Sequence, residues 1–137
     1  MILSVKSYKG RQYNVPRASA VNQKSLLLLI GHELDEVQLN ALKYNAVDSF
    51  GTNATLSTML RRLPEHKFDK VCELVAVGMT PHGAQQPVTI DDFQNNIFEY
   101  VSIVAELVRG NLEDFFTYTI GVLKSAKTTS NETTTNN

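Results

Sequence analysis

With 137 residues, of which 42% are hydrophobic and 20% charged, and a net charge of -1, the chain has the size and balance of one globular domain. A wholly disordered chain is excluded, because disorder needs low hydrophobicity together with high net charge. A membrane-spanning helix is excluded as well: the longest purely apolar run, Leu26 to Ile30, is far short of the roughly 20 residues a span needs. Met1 to Lys6 lacks a basic region followed by an apolar run, so no secretory signal is expected. The single cysteine, Cys72, cannot form an internal disulfide, which fits a reducing compartment, most simply cytoplasm.

The reading along the chain is of a mainly α domain of five to six helices with a short N-terminal β-hairpin and a disordered C-terminal tail. The hairpin (1–16) comes first. Ile2 to Tyr8 and Gln12 to Val15 are rich in β-branched and aromatic residues, and Lys9-Gly10 between them suits a tight turn. Pro16 ends the second strand, since it has no N–H to donate. Ser19 is the expected N-cap of a first helix running to about Ile30, with Gly31 as its stop. Asp35 is the expected cap of a second, with Val37, Leu39, Leu42, Ala46 and Val47 on its apolar stripe. Asn53 is the expected cap of a third, carrying Leu56, Met59, Leu60 and Leu63. Pro64 suits the first turn of a fourth, with Phe68, Val71, Cys72 and Val75 on one side and Gly78 closing it.

Met79 to Val88 reads as a loop, broken by Pro81, Gly83 and Pro87. Asp91 with Gln94 resembles a capping box opening a fifth helix, whose stripe is Ile97, Val101, Val104 and Val108. Gly110 interrupts the pattern, and Asn111 is the expected cap of a last helix bearing Leu112, Phe115, Phe116, Ile120 and Leu123. Residues 1–124 thus form the helical domain. Residues 125–137, mostly Thr, Asn and Ser without a large apolar side chain, are expected to be a flexible tail.

Charge is unevenly placed. Residues 1–24 hold five basic side chains (Lys6, Lys9, Arg11, Arg17 and Lys24) and no acidic one, whereas residues 81–137 hold seven acidic against three basic. Such asymmetry can steer a nucleic acid, an acidic partner or another copy of the chain, or can be two solvated faces of different sign. Lys6, Lys9, Arg11 and Arg17 are the candidates for a weak head-to-tail self-association, because a heterologous contact that does not close builds an array.

Catalytic or cofactor chemistry finds little support. His32, His66 and His82 are not at helical metal-pair spacing, and there is one cysteine, so no metal or cofactor site is expected. Cys72 on an apolar stripe reads as a structural thiol rather than a nucleophile. Gly78 to Gly83 is followed by Ala84-Gln85 where a phosphate loop would place Lys and Ser or Thr. Two rivals to a non-catalytic binding role remain. One is a small nucleic-acid-binding regulator using the basic head with Tyr8 and Tyr13, against which the slightly acidic whole argues. The other is an enzyme with a site around His82, which needs a deep polar pocket near residues 79–91.

Three passages together resemble a family. They are Y-x-V-P-R-A-S-A (Tyr13 to Ala20) running into N-Q-K-S-L-L-L-L-I, V-T-I-D-D-F-Q-N-N-I-F-E-Y (Val88 to Tyr100), and E-L-V-R-G-N-L-E-D-F-F (Glu106 to Phe116). Over roughly residues 1–123 the chain is similar to the tail assembly chaperones of long-tailed bacteriophages. The resemblance implies a small, mostly helical, non-catalytic protein of the host cell cytoplasm that binds the apolar tape measure protein, keeps it soluble while the tail tube assembles, and is absent from the finished virion. It also implies a tail tube protein as partner of a frameshifted longer form. A holdase needs exposed apolar surface. Phe93, Phe98, Phe115 and Phe116 are the candidate client contacts, with the alternative for each that it belongs to the core.

Overall fold

Strands β1 (Ile2–Lys6) and β2 (Gln12–Pro16) pair antiparallel, with Leu3 opposite Val15 and Val5 opposite Tyr13. The two-residue alternation puts Val5, Tyr13 and Val15 on the buried side. Gly10 turns the chain at φ +81°, a conformation that residues with a Cβ rarely adopt. The computed structural model describes the backbone of residues 1–135 and the side chains of residues 1–126.

The Met79–Val88 segment is not wholly a loop. Thr80–Pro81 forms β3, which pairs antiparallel with β2 at Asn14 and Tyr13 and completes a three-stranded sheet in the order β1-β2-β3. A strand two residues long, half of it proline, sits at a sheet edge, where a missing N–H costs little. Neither periodicity nor propensity marks so short a strand.

Helix α1 (Ala20–Leu29) is capped by Ser19, whose side chain accepts the Asn22 N–H. Gly31 does not end the region. It is the first residue of α2 (Gly31–Lys43), and Ile30 serves both helices as their shared boundary. Asp35 therefore lies inside α2 and is not its cap. This earlier start changes which side is buried: Leu34 and Ala41 are sealed, Val37 is half-buried, and Leu39 and Leu42 are exposed. The helix ends before Asn45, which turns the chain at φ 53°. Ala46 and Val47 are outside it, with Val47 buried in a short 3₁₀ turn, Val47–Ser49.

Helix α3 (Asn53–Arg61) is capped by Thr52, which accepts the Thr55 N–H, and not by Asn53. Pro64 precedes α4 (Glu65–Val75) as its N-cap, one residue outside the expected first turn. The capping box before the fifth helix is made by Thr89 and Asp92 around a 3₁₀ turn, Ile90–Phe93, instead of by Asp91 and Gln94. Helix α5 (Ile97–Asn111) then runs through Gly110 without a break, and Asn111 is its last residue. Gly110 is small for another reason: a Cβ there would stand 3.2 Å from Leu3 of β1. One residue, Leu112, separates α5 from α6 (Glu113–Thr135). Of the segment 125–137, expected to be a flexible tail, residues 125–135 continue the backbone of α6, and 136–137 lie outside the described residues.

Helix α5 is the hub. It packs against β1, α3, α4 and α6, and Ile103, Val104, Ala105, Leu107 and Val108 are all fully buried. A helix buried on most of its circumference reads as more than one apolar stripe, which is how Phe98, Ala105 and Leu107 come to widen the pattern of Ile97, Val101, Val104 and Val108.

Candidate functional site

The four phenylalanines divide by environment. Phe93 is 4% exposed, packed against Tyr13 and Tyr100 with ring centroids 5.9 and 5.3 Å away. Phe116 is 3% exposed on the α6 row Phe116, Thr119 and Leu123, against Phe50 at 5.6 Å. Both are core residues. Phe115, one position round the helix, is half-buried beside Phe50 and Phe116. Phe98 is 46% exposed and stands edge-on to Tyr8 at 5.3 Å, with the Arg61 guanidinium 5.5 Å from its ring centre. An apolar moment fixes a stripe, but the neighbouring elements decide which members of the stripe are covered.

The basic head is largely engaged within the molecule. Glu99, 1% exposed on α5, accepts the Ser7 hydroxyl at 2.8 Å and meets the Arg11 Nε at 3.0 Å. A carboxylate this deeply buried requires such partners. Arg17 donates to the Gly110 carbonyl at 3.1 Å, and Lys9 donates to the Asn96 side chain. The Tyr8 and Ala18 amides are held by Ser102 and Asn111. Together these fasten the hairpin and its exit to both ends of α5. Of Lys6, Lys9, Arg11 and Arg17, only Lys6 makes no hydrogen bond or ion pair among the described residues.

Sequence reasoning missed an apolar concavity. Helices α2 and α3, bridged by the 3₁₀ turn, enclose a cleft of about 420 Å³. Val37, Ala41, Ala46, Ala54 and Met59 give it an apolar surface, Tyr44 stands at one end, and Glu33, Glu36 and Arg62 mark the other. The only signal in the sequence is three alanines at the points where the two helices and their turn approach. Glu33 is bonded to Lys67 of α4 at 2.7 Å. Burial pushes the Glu33 carboxyl up, but the Lys67 hydrogen bond and charge, with its own amide and His32, outweigh that and hold it below the usual carboxylate range.

The remaining titratable groups do not converge on a reaction centre. Burial pushes the Cys72 thiol up to about 11, against a smaller opposing hydrogen bond with Tyr100. That keeps it protonated near neutrality and poorly nucleophilic. Tyr100 is raised in turn, by burial and by Cys72. His82 lies exposed in the segment after β3, with its amide bonded to the Gln12 carbonyl. Among the described residues no three His, Cys, Asp or Glu side chains are grouped to hold a metal ion, and no helix is long and apolar enough to cross a membrane.

Against this geometry the comparison with known families is decisive. The family described as phage tail assembly chaperone protein, TAC, matches residues 7–124. The chain belongs to this family. The match begins at the hairpin turn, takes in all six helices as far as Lys124, and leaves 125–137 outside. It bears out the resemblance carried by the Tyr13, Val88 and Glu106 passages and places the protein's role in phage tail assembly. No curated protein and no solved structure matches the chain.

Proposed function

We propose that this tail assembly chaperone binds the tape measure protein through the α2–α3 cleft and keeps it soluble while the tail tube is built, without chemistry of its own. It acts in the host cytoplasm and leaves before the particle is complete. A longer, frameshifted form carrying additional sequence after the tail would recruit the tube protein. The observation that carries the reading is the cleft: an apolar concavity with a polar rim, open on the surface of a chain from a chaperone family. A cleft of this size takes a few apolar side chains projecting from one face of an amphipathic helix. Leu39, Leu42 and Tyr44, exposed on the helix that forms one wall, extend the apolar surface beyond it.

This moves the client contact away from the four phenylalanines. Phe93 and Phe116 are sealed, and neither Phe98 nor Phe115 lines the cleft. The test is co-expression with the tape measure protein of the same phage, scored by the client's solubility. Ala54 lines the cleft yet is exposed, so Ala54→Trp fills the space without entering the core. Wild-type protein should keep the client soluble and Ala54→Trp should not, at equal expression. A client that precipitates with the wild type removes the function, whereas one rescued equally by both removes the cleft.

A further inference from the structure

We propose that the open edge of the sheet, β1, takes an extended segment of a partner protein as a fourth, antiparallel strand, one in which an acid precedes alternating apolar residues. The hairpin fixes which backbone groups are free. The Ser7 N–H donates to the Arg11 carbonyl and the Arg17 N–H to the Met1 carbonyl, so in the register of β1 and β2 it is Leu3 and Val5 that exchange bonds with Val15 and Tyr13. The N–H and C=O groups of Ile2, Ser4 and Lys6 therefore point away from β2, and β1 has no other strand beside it. Among the described residues nothing bonds to those groups, and all three residues are exposed. The far edge of the same sheet is closed to such an addition: β3 is two residues long, and Pro81 has no N–H to offer. Strand β1 runs for five residues without proline, with Lys6 as its one charged side chain. An edge of this kind binds an extended chain through its backbone and selects it through alternate side chains.

The inner side chains of such a strand meet a prepared surface. A recess of about 300 Å³ lies between β1 and helices α5 and α6, with Leu3, Val5, Phe116 and Ile120 supplying its apolar part and the exposed Arg109 and Glu113 in its polar lining. Residues of the added strand opposite Val5 and Leu3 point to this side, as Val5 and Leu3 themselves do. Those opposite Lys6, Ser4 and Ile2 lie on the outer face, where Lys6 calls for an acid and Ile2 for a β-branched neighbour. Along an antiparallel incoming strand the order is thus acidic, apolar, polar, apolar, β-branched. Lys6 is in no ion pair among the described residues, and residues 1–24 contain no acid, so the hairpin of a second copy lacks the complement that a foreign segment supplies. The recess shares no lining residue with the α2–α3 cleft, and the proposal does not depend on what the cleft binds.

The probe is a synthetic peptide with Glu-Val-Thr-Val-Ile at its centre and Gly-Ser flanks, titrated into the full chain and followed by amide hydrogen exchange. Binding should slow exchange at Ile2, Ser4 and Lys6 and leave α2 and α3 unchanged. The nitrogen of the peptide's central threonine faces β1, so methylating it should weaken binding about tenfold, whereas methylating either valine nitrogen, which faces water, should change it little. Lys6→Glu alters an exposed side chain without partners in the fold. It should weaken binding about fivefold, and a peptide with lysine in place of its glutamate should recover the loss. A peptide that does not bind at millimolar concentration overturns the proposal. So does equal sensitivity to all three methylations, binding indifferent to Lys6→Glu, or protection confined to α2 and α3. Protection of the Ile2, Ser4 and Lys6 amides in concentrated protein without peptide overturns it as well, because the edge then belongs to a second copy.

Discussion

The side of the molecule where the hairpin meets α5 and the side where α2 meets α3 are built on opposite terms. On the first, polar groups far apart in sequence find one another: Ser7 and Arg11 with Glu99, Tyr8 with Ser102, Ala18 with Asn111, Asn53 with Ser102 and Glu106. Around them Val15, Ile103, Val104 and Leu107 are fully buried. On the second, small residues and a turn leave a cleft unfilled, and Leu39, Leu42 and Tyr44 remain exposed beside it. Satisfied buried networks rigidify, whereas apolar surface left uncovered is held for a partner. The closed side holds the fold together, and the open side is the face proposed to bind the client.

That contrast can be broken most severely at Leu107. Leu107→Ala at the hub of the closed side should cost about 3 to 4 kcal/mol in denaturant unfolding, through lost burial and the cavity left behind. An alkaline titration probes the same seal. Burial raises the Cys72 thiol from its ordinary 9.0 to about 11, so the unfolded chain ionises first. Stability is therefore unaffected below pH 9 and should fall, by about 2 kcal/mol, as pH rises toward 11. Thiol labelling of native protein at pH 8 should be correspondingly slow, and fast labelling would place Cys72 outside the seal. Arg11→Ala leaves Glu99 buried with Ser7 alone. It should cost about 1 to 2 kcal/mol, below the range for fully buried pairs because the Arg11 side chain is itself half exposed. On the open side the sign of the experiment changes. Ala54→Trp should shift stability by less than about 0.5 kcal/mol while abolishing client rescue. A large loss of stability there would mean that the cleft belongs to the core.

Much of this architecture was legible in the residues. The Lys9-Gly10 turn, the Ser19 cap and the helical spacing of Leu56, Met59 and Leu60 each act over a few residues, and each is found as read. Caps competing within a few positions were misplaced, because Thr52 and Asn53, or Thr89 and Asp91, offer similar local chemistry. Asn53 is instead taken by α5, some 49 residues on, where it donates to Ser102 and Glu106. The reading of Gly31 and Gly110 as breaks failed for a related reason. At Gly110 the close approach of Leu3 favours a residue without a Cβ, and helical backbone accommodates one.

By itself the sequence determined the hairpin, the helices, their order and the family, since periodicity, turn residues and the three characteristic passages are properties of neighbouring residues. Only the tertiary structure decided that Phe93 and Phe116 are sealed while Phe98 is open, that Arg11 and Arg17 turn inward, and that α2 and α3 part to leave a cleft. Those outcomes depend on the angle at which each helix meets partners tens of residues away. No local pattern encodes that angle, because burial belongs to the contact between elements and not to either element alone.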